Sequence, residues 1–147
     1  MYEILDAIAD SYNPLIGLVT LALLAYTTWR RRWAAAGRLA LTLFGGLAVV
    51  YSLQWLDHSL GIWPALGMDY STHTAVAVVI TLSLIAAAPH LRIPALTGLL
   101  GYGLLMLYQE YHSVADLLST ALVIAPLWWG LSLLSRAVSR EVATQSA

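Results

Sequence analysis

The chain has no cysteine, no lysine and a single phenylalanine, and only 10% of its 147 residues are charged. Without cysteine there is no disulfide, no thiolate nucleophile and no sulfur ligand for a metal, and nothing marks the redox compartment. Without lysine, arginine supplies every basic side chain. So small a charged fraction, set against 60% hydrophobic residues, cannot cover the surface of an ordinary soluble domain. The chain therefore reads as an integral membrane protein. The opening "MYEILDAIADSYN" is acidic where a secretory leader is basic, so this segment is expected to be retained. No repeat, low-complexity tract or long linker divides the sequence, so residues 1–147 are read as a single helical membrane domain.

Five apolar runs fit that reading, at about 14–29, 37–56, 72–88, 93–109 and 114–135. The fold expected is all-α, a compact bundle of about five transmembrane helices. Ahead of the first run, Ile4, Leu5 and Ile8 alternate with Glu3, Asp6 and Asp10. That pattern suits a short helix lying in the membrane interface, with Asn13 and Pro14 starting the first span.

The few charges are sorted. Alternating spans put Arg30, Arg31, Arg32, Arg38, Arg92, Arg136 and Arg140 on one side, which is every basic residue in the chain. Glu3, Asp6, Asp10, Asp57, Asp69, Glu110 and Asp116 fall on the other, and Glu141 alone keeps company with the arginines. Basic residues favour the cytoplasmic side, so the expectation is a cytoplasmic (inner) membrane protein with its N-terminus and acidic face outside and its C-terminus inside. Trp29 and Trp33 flank the arginine run as interfacial anchors, and Trp55, Trp63, Trp128 and Trp129 are expected in the aromatic belts.

The acidic side also holds three histidines, His58, His73 and His112, while His90 falls in an inner connector. Asp69 precedes His73 by four residues, and His112 precedes Asp116 by four within "EYHSVAD" (110–116). One helical turn separates the members of each pair. Part of this has a structural explanation. Ser113 and Asp116 have capping-box spacing, in which serine and acid reciprocally satisfy the first helix amides, and Ser71 is placed to cap the third run. Capping does not require histidine, however, and ionisable groups at membrane depth are costly unless they are paired or functional. A histidine whose one ring nitrogen is fixed by a carboxylate presents the other as a nucleophile or base. His112 with Asp116 could do this, His73 could protonate a leaving oxygen, and amides near Ser71 and Thr72 could hold an anion. Phosphoryl transfer through a phosphohistidine suits this set.

Two stretches also resemble a known family. "DYSTHTAVAVVITLSL" (69–84) resembles the Pro-Ser-Gly-His-Thr segment of the type-2 phosphatidic acid phosphatases, and "HSVADLLST" (112–120) resembles their His-x-x-x-Asp segment. Tyr70 and Ser71 ahead of His73 resemble the version found in sphingomyelin-synthase-like phosphotransferases. The resemblance implies a lipid phosphate phosphatase or phosphotransferase acting at the extracytoplasmic face. His112 would be the nucleophile, Asp116 its orienting carboxylate and His73 the general acid, with Ser71 and Thr72 beside the phosphate. The sequence departs from the family's pattern in its basic residues. The lysine and Arg-Pro of the outer connector have no counterpart in residues 54–68, Met106 stands where an arginine is expected six residues before the nucleophile, and Thr72 replaces the glycine.

That deficit opens two alternatives. A divalent metal could replace the missing charge, with Asp69, His73, Glu110, His112 and Asp116, aided by Asp57 or His58, as nitrogen and oxygen ligands. Alternatively, the chain could be a non-catalytic scaffold or partner subunit with a degenerate site. No cofactor is expected in the main reading. The expected partners are membrane lipids and a partner membrane subunit or second copy of the chain, with no nucleic acid.

Overall fold

The computed structural model describes the backbone of residues 2–145 and the side chains of residues 3–139. These residues form five α-helices, α1 (Tyr2–Trp29), α2 (Trp33–Leu60), α3 (Thr72–Ala87), α4 (Arg92–Tyr108) and α5 (Val114–Gln145), with short 3-10 turns at Pro64–Leu66 and Pro89–Leu91. No strand occurs among the described residues. Four helices, all but α3, are long and apolar enough to cross a membrane once α4 is counted with the turn before it.

The first expectation to fail is the separate interfacial helix. Residues 2–12 and the first span form one helix of 28 residues, with Pro14 inside it. Proline has no N–H to offer the Asp10 carbonyl one turn back, yet the helix continues. Its length, about 42 Å at 1.5 Å per residue, exceeds the roughly 30 Å of hydrocarbon, so its first turns extend toward the polar end.

The shortest helix is the central one. With 16 residues α3 spans about 24 Å, and it packs against each of the other four. Its sequence, THTAVAVVITLSLIAA, is small or β-branched almost throughout, and residues from Thr74 to Leu84 are buried on nearly every side. A helix that is apolar all round has no face to give to water. Val50, Ala75, Val78, Val79, Ile124 and Trp128 form the larger core, where α2, α3 and α5 meet. The closest approach is at Gly46, where a Cβ would lie 2.6 Å from Val79 Cγ1. The glycines of α4 are looser, since a Cβ at Gly98 would lie 3.4 Å from Tyr12 Oη and one at Gly101 would meet nothing within 4 Å.

Outside and inside are exchanged relative to a soluble protein. Leu15, Leu18, Phe44, Leu100, Leu104, Leu122 and Leu133 are each more than half exposed, while Thr20, Thr42, Thr74, Thr81, Ser83, Thr120, Ser132 and Ser135 are buried. This is the distribution expected where hydrocarbon is the solvent. Tryptophan divides along the same line. Trp29, Trp33, Trp55 and Trp129 are exposed, but Trp63 and Trp128 are 6% and 5% exposed. These two are core residues, contrary to their expected place in the belts. Trp63 Nε1 donates to Ser119 Oγ at 3.0 Å and Trp128 Nε1 to Ser83 Oγ at 2.9 Å, so each indole N–H finds a partner that lipid could not supply.

The up-and-down order leaves two chemically distinct ends. One, the histidine end, gathers the start of α1, the connector between α2 and α3, and the turn between α4 and α5. The other, the arginine end, gathers residues 30–32, Arg38, Arg92 and Arg136.

Candidate functional site

At the histidine end each connector is held down by specific bonds. The connector before α3 is pinned by Trp63, whose backbone N–H donates to Asp57 Oδ1 at 2.7 Å, and by Tyr70, whose hydroxyl donates to the Val50 carbonyl at 3.1 Å. Their rings pack edge to face with centroids 5.0 Å apart. Burial, and then the Asp57 carboxylate, holds the Tyr70 hydroxyl well above the usual range for tyrosine.

Asp116 fixes the geometry between α3 and α5. Its Oδ2 accepts from the Ser113 amide at 2.7 Å, and Ser113 Oγ accepts from the Asp116 amide at 3.2 Å, which completes a capping box. Its Oδ1 reaches across to accept from the Asp69 amide at 2.8 Å, tying the lead-in of α3 to the start of α5. His112 Nδ1 lies 3.9 Å from Asp116 Oδ2, which is ion-pair distance and too long for a hydrogen bond. The carboxylate is close to the histidine, but its bonds go to backbone.

Ser71 caps α3, as its position before the third run led us to expect. It is fully buried, and as N-cap of α3 its Oγ accepts from the Thr74 amide and donates to Thr74 Oγ1 at 2.9 Å. Its own amide donates to Thr120 Oγ1 at 3.1 Å. Its amide thus joins α3 to α5, while its hydroxyl and carbonyl bond within the first turn of α3. Thr72, by contrast, lines open space.

Three adjoining clefts open at this end, and all of them meet at His112. One of about 240 Å³ is lined by Asp10, His73, Tyr102, Met106 and His112 among others. A second, of about 620 Å³, adds Asn13, Tyr51, Gln54, Tyr70 and Thr72 to Asp10, His73 and His112. A third, of about 580 Å³, carries the lining on through Asp57, His58 and Asp69. His73 and His112, which lie on different helices and far apart in sequence, thus share the walls of two of the three. Glu110 lines none of them. It is exposed and holds a left-handed backbone conformation, φ 57°, in the turn before His112.

Comparison with protein-family models, with curated proteins and with solved structures finds no match to this chain. The site therefore rests on its own geometry.

That geometry includes residues the sequence reading passed over. Asp10 lines both histidine clefts. Asn13 Nδ2 donates to the His73 carbonyl at 3.1 Å and approaches Tyr102 Oη at 3.5 Å. Below it Tyr12 stacks on Tyr102 with centroids 4.4 Å apart. Asp6 accepts from Gln109 Nε2 and, at 2.9 Å, from Tyr111 Oη, and that bond raises the Tyr111 hydroxyl above its usual range. Asp6, Asp10 and Asn13 have spacing i, i+4, i+7 and so share one helical face. This was the available signal, and the sequence reading, which took the segment as a short helix in the membrane interface, did not use it.

Electrostatically the clefts are acidic. Asp10, Asp57 and Asp69 line them, and no arginine does. Among the described residues, no three His, Asp or Glu side chains converge as a metal-holding group, and both Asp116 oxygens already accept from amides. Positive potential at this end comes from the first amides of α3, those of Thr72 and His73, which have no carbonyl one turn back to bond.

Proposed function

We propose that this chain is a lipid phosphate phosphatase or phosphotransferase whose chemistry takes place at the histidine end. The observation that carries the reading is the joint exposure of His73 and His112 in the same clefts. All five helices cross the membrane in this reading, α3 within a sheath formed by the other four. The basic end faces the cytoplasm, so the clefts and the N-terminus lie outside and the C-terminus inside.

In the first step the His112 ring nitrogen away from Asp116 attacks phosphorus. The bond from phosphorus to the lipid oxygen breaks, and His73 gives its proton to the departing alkoxide. In the second, water, or an alcohol in the transferase variant, attacks the phosphohistidine. The P–N bond breaks and the attacking oxygen loses its proton to His73. Asp116 acts mainly by position, since it sets where α5 starts relative to α3. A modest closure of the 3.9 Å gap would add the orienting hydrogen bond to His112, as catalytic contacts often tighten around a bound substrate. The free amides of Thr72 and His73 are the phosphate donors in this reading, taking the role expected of Ser71. A lipid substrate is favoured because the clefts open at the end of an apolar bundle, where a lipid diffusing in the membrane plane reaches them.

Phosphate release from a phosphatidic acid in mixed micelles tests the proposal. Wild-type protein should release phosphate and His112→Ala should not; full activity in His112→Ala would remove the nucleophile from the scheme. A metal-dependent reading is favoured by the acidic lining of the clefts. It predicts loss of activity on chelation and recovery on adding back zinc or manganese, so the same assay separates the two.

A further inference from the structure

The arginine end has a partly open cavity of its own, of about 120 Å³, lined by residues of all the helices except α4. That volume is several times what one water requires. Arg38 of α2 and Arg136 of α5 stand at its rim, and Ser83 of α3 and Ser132 of α5 lie among its buried walls. Among the described residues no carboxylate lines it, and the only ion-pair contact is the one between His112 and Asp116. Ser83 lies ten residues beyond His73 on α3, or about 15 Å along the axis, so this cavity is separate from the histidine clefts.

The hydroxyls differ in what they can offer a ligand. Thr27, Thr42 and Ser135 spend their protons on carbonyls of the preceding turn. Ser83 accepts from Trp128 Nε1 and so keeps its own proton free, and Ser132 Oγ has no partner among the described residues. Two guanidinium groups and two free O–H donors therefore surround one small space with no counter-charge among the described residues. Arginine presents a planar fork matched to phosphate oxygens. Helical spacing assembles the set, since Ser132 and Arg136 are one turn apart on α5.

We infer that this cavity binds a phosphate group, as the headgroup of an anionic phospholipid in the leaflet at the arginine end or as a free phosphate. The inference is independent of the chemistry proposed for the histidine end.

The test is the thermal stability of the full chain in neutral detergent, since a ligand that binds only the folded state raises the melting temperature. Dioleoyl phosphatidylglycerol should raise it saturably and dioleoyl phosphatidylcholine should not. A parallel titration with inorganic phosphate identifies the source. A saturable shift with phosphate alone assigns a free phosphate, and a shift with the lipid only assigns the headgroup. In Arg38→Gln/Arg136→Gln the half-saturating concentration should rise at least tenfold, and in Ser132→Ala severalfold; the latter remains informative if the double variant folds poorly. Arg30→Gln/Arg31→Gln/Arg32→Gln and His112→Ala should keep the wild-type response. The inference is overturned if neither probe shifts the melting temperature, if Ser132→Ala and the double variant both respond like wild type, or if the connector triple variant loses as much as the double.

Discussion

The two ends of this bundle are built from opposite chemistry on the same helices. At one, carboxylates, histidines and tyrosines line broad clefts that contain no arginine. At the other, two arginines and a set of hydroxyls line a small cavity that contains no described carboxylate. α3 connects them, with His73 at its first turn and Ser83 near its last. In the proposed reading, charge in this chain marks orientation and function together. The arginines that a phosphate chemist would look for beside His112 are at the far end, where in that reading they set the topology and, by our inference, hold a phosphate that does not react.

This contrast can be broken by exchanging what each end is asked to do. The largest effect should come from His112→Ala, which should lower phosphate release by roughly a thousandfold or more, while Arg38→Gln/Arg136→Gln stays within about twofold of wild type in the same assay. Equal losses would mean that the ends are not separate. His73→Ala should cost roughly a hundredfold or more with a lipid phosphate, and much less with an aryl phosphate whose leaving group needs no proton. A loss independent of leaving group would reassign His73 to binding.

Two stability predictions probe how the histidine end is held. Asp116→Ala removes acceptors from the Ser113 and Asp69 amides at once, and should destabilise the fold by about 2–3 kcal/mol in denaturant titrations. Asp116→Asn, which keeps an acceptor oxygen, should lose less. Gly46→Ala, which drives a methyl group into buried Val79 near the middle of the bundle, should cost about 1–3 kcal/mol while leaving the ratio of activities at the two ends unchanged.

The smallest effect is one of pH. The folded-state pKa of Tyr70 is raised above its ordinary value of 10.0, so the folded protein holds that proton more tightly than the unfolded chain. Its stabilising contribution is therefore complete below about pH 10 and is lost as pH rises beyond it. Tyr70→Phe should cost about 1 kcal/mol at neutral pH, for the bond to the Val50 carbonyl, and should flatten the alkaline decline in melting temperature.

Much of the scaffold could be read from the sequence because hydrocarbon length and apolar composition set most helix boundaries within a few residues, although α5 runs on to Gln145, past the end expected at about 135. The start of α1 could not, because Pro14 reads as a beginning, and only packing of the Asp6, Asp10 and Asn13 face against α3, α4 and the following turn shows that the helix runs through it. His73 and His112 were legible as a pair because each stands at the start of an apolar run on the same side. The fate of Ser71 was not. A serine before a helix can cap it or face a ligand, and tertiary contact with Thr120 decides which. Trp63 and Trp128 misled for a similar reason, since sequence alone does not tell an indole at the interface from one bonded to a buried serine.

The central claim is that His112 becomes covalently phosphorylated. The most direct measurement is to incubate the protein with a lipid whose phosphate is radiolabelled, quench in alkali, where phosphohistidine survives, and locate the label. The account predicts an acid-labile label on the peptide carrying His112, absent in His112→Ala. Phosphate release by a wild-type protein that never carries the label, or a label that persists in His112→Ala, would contradict it.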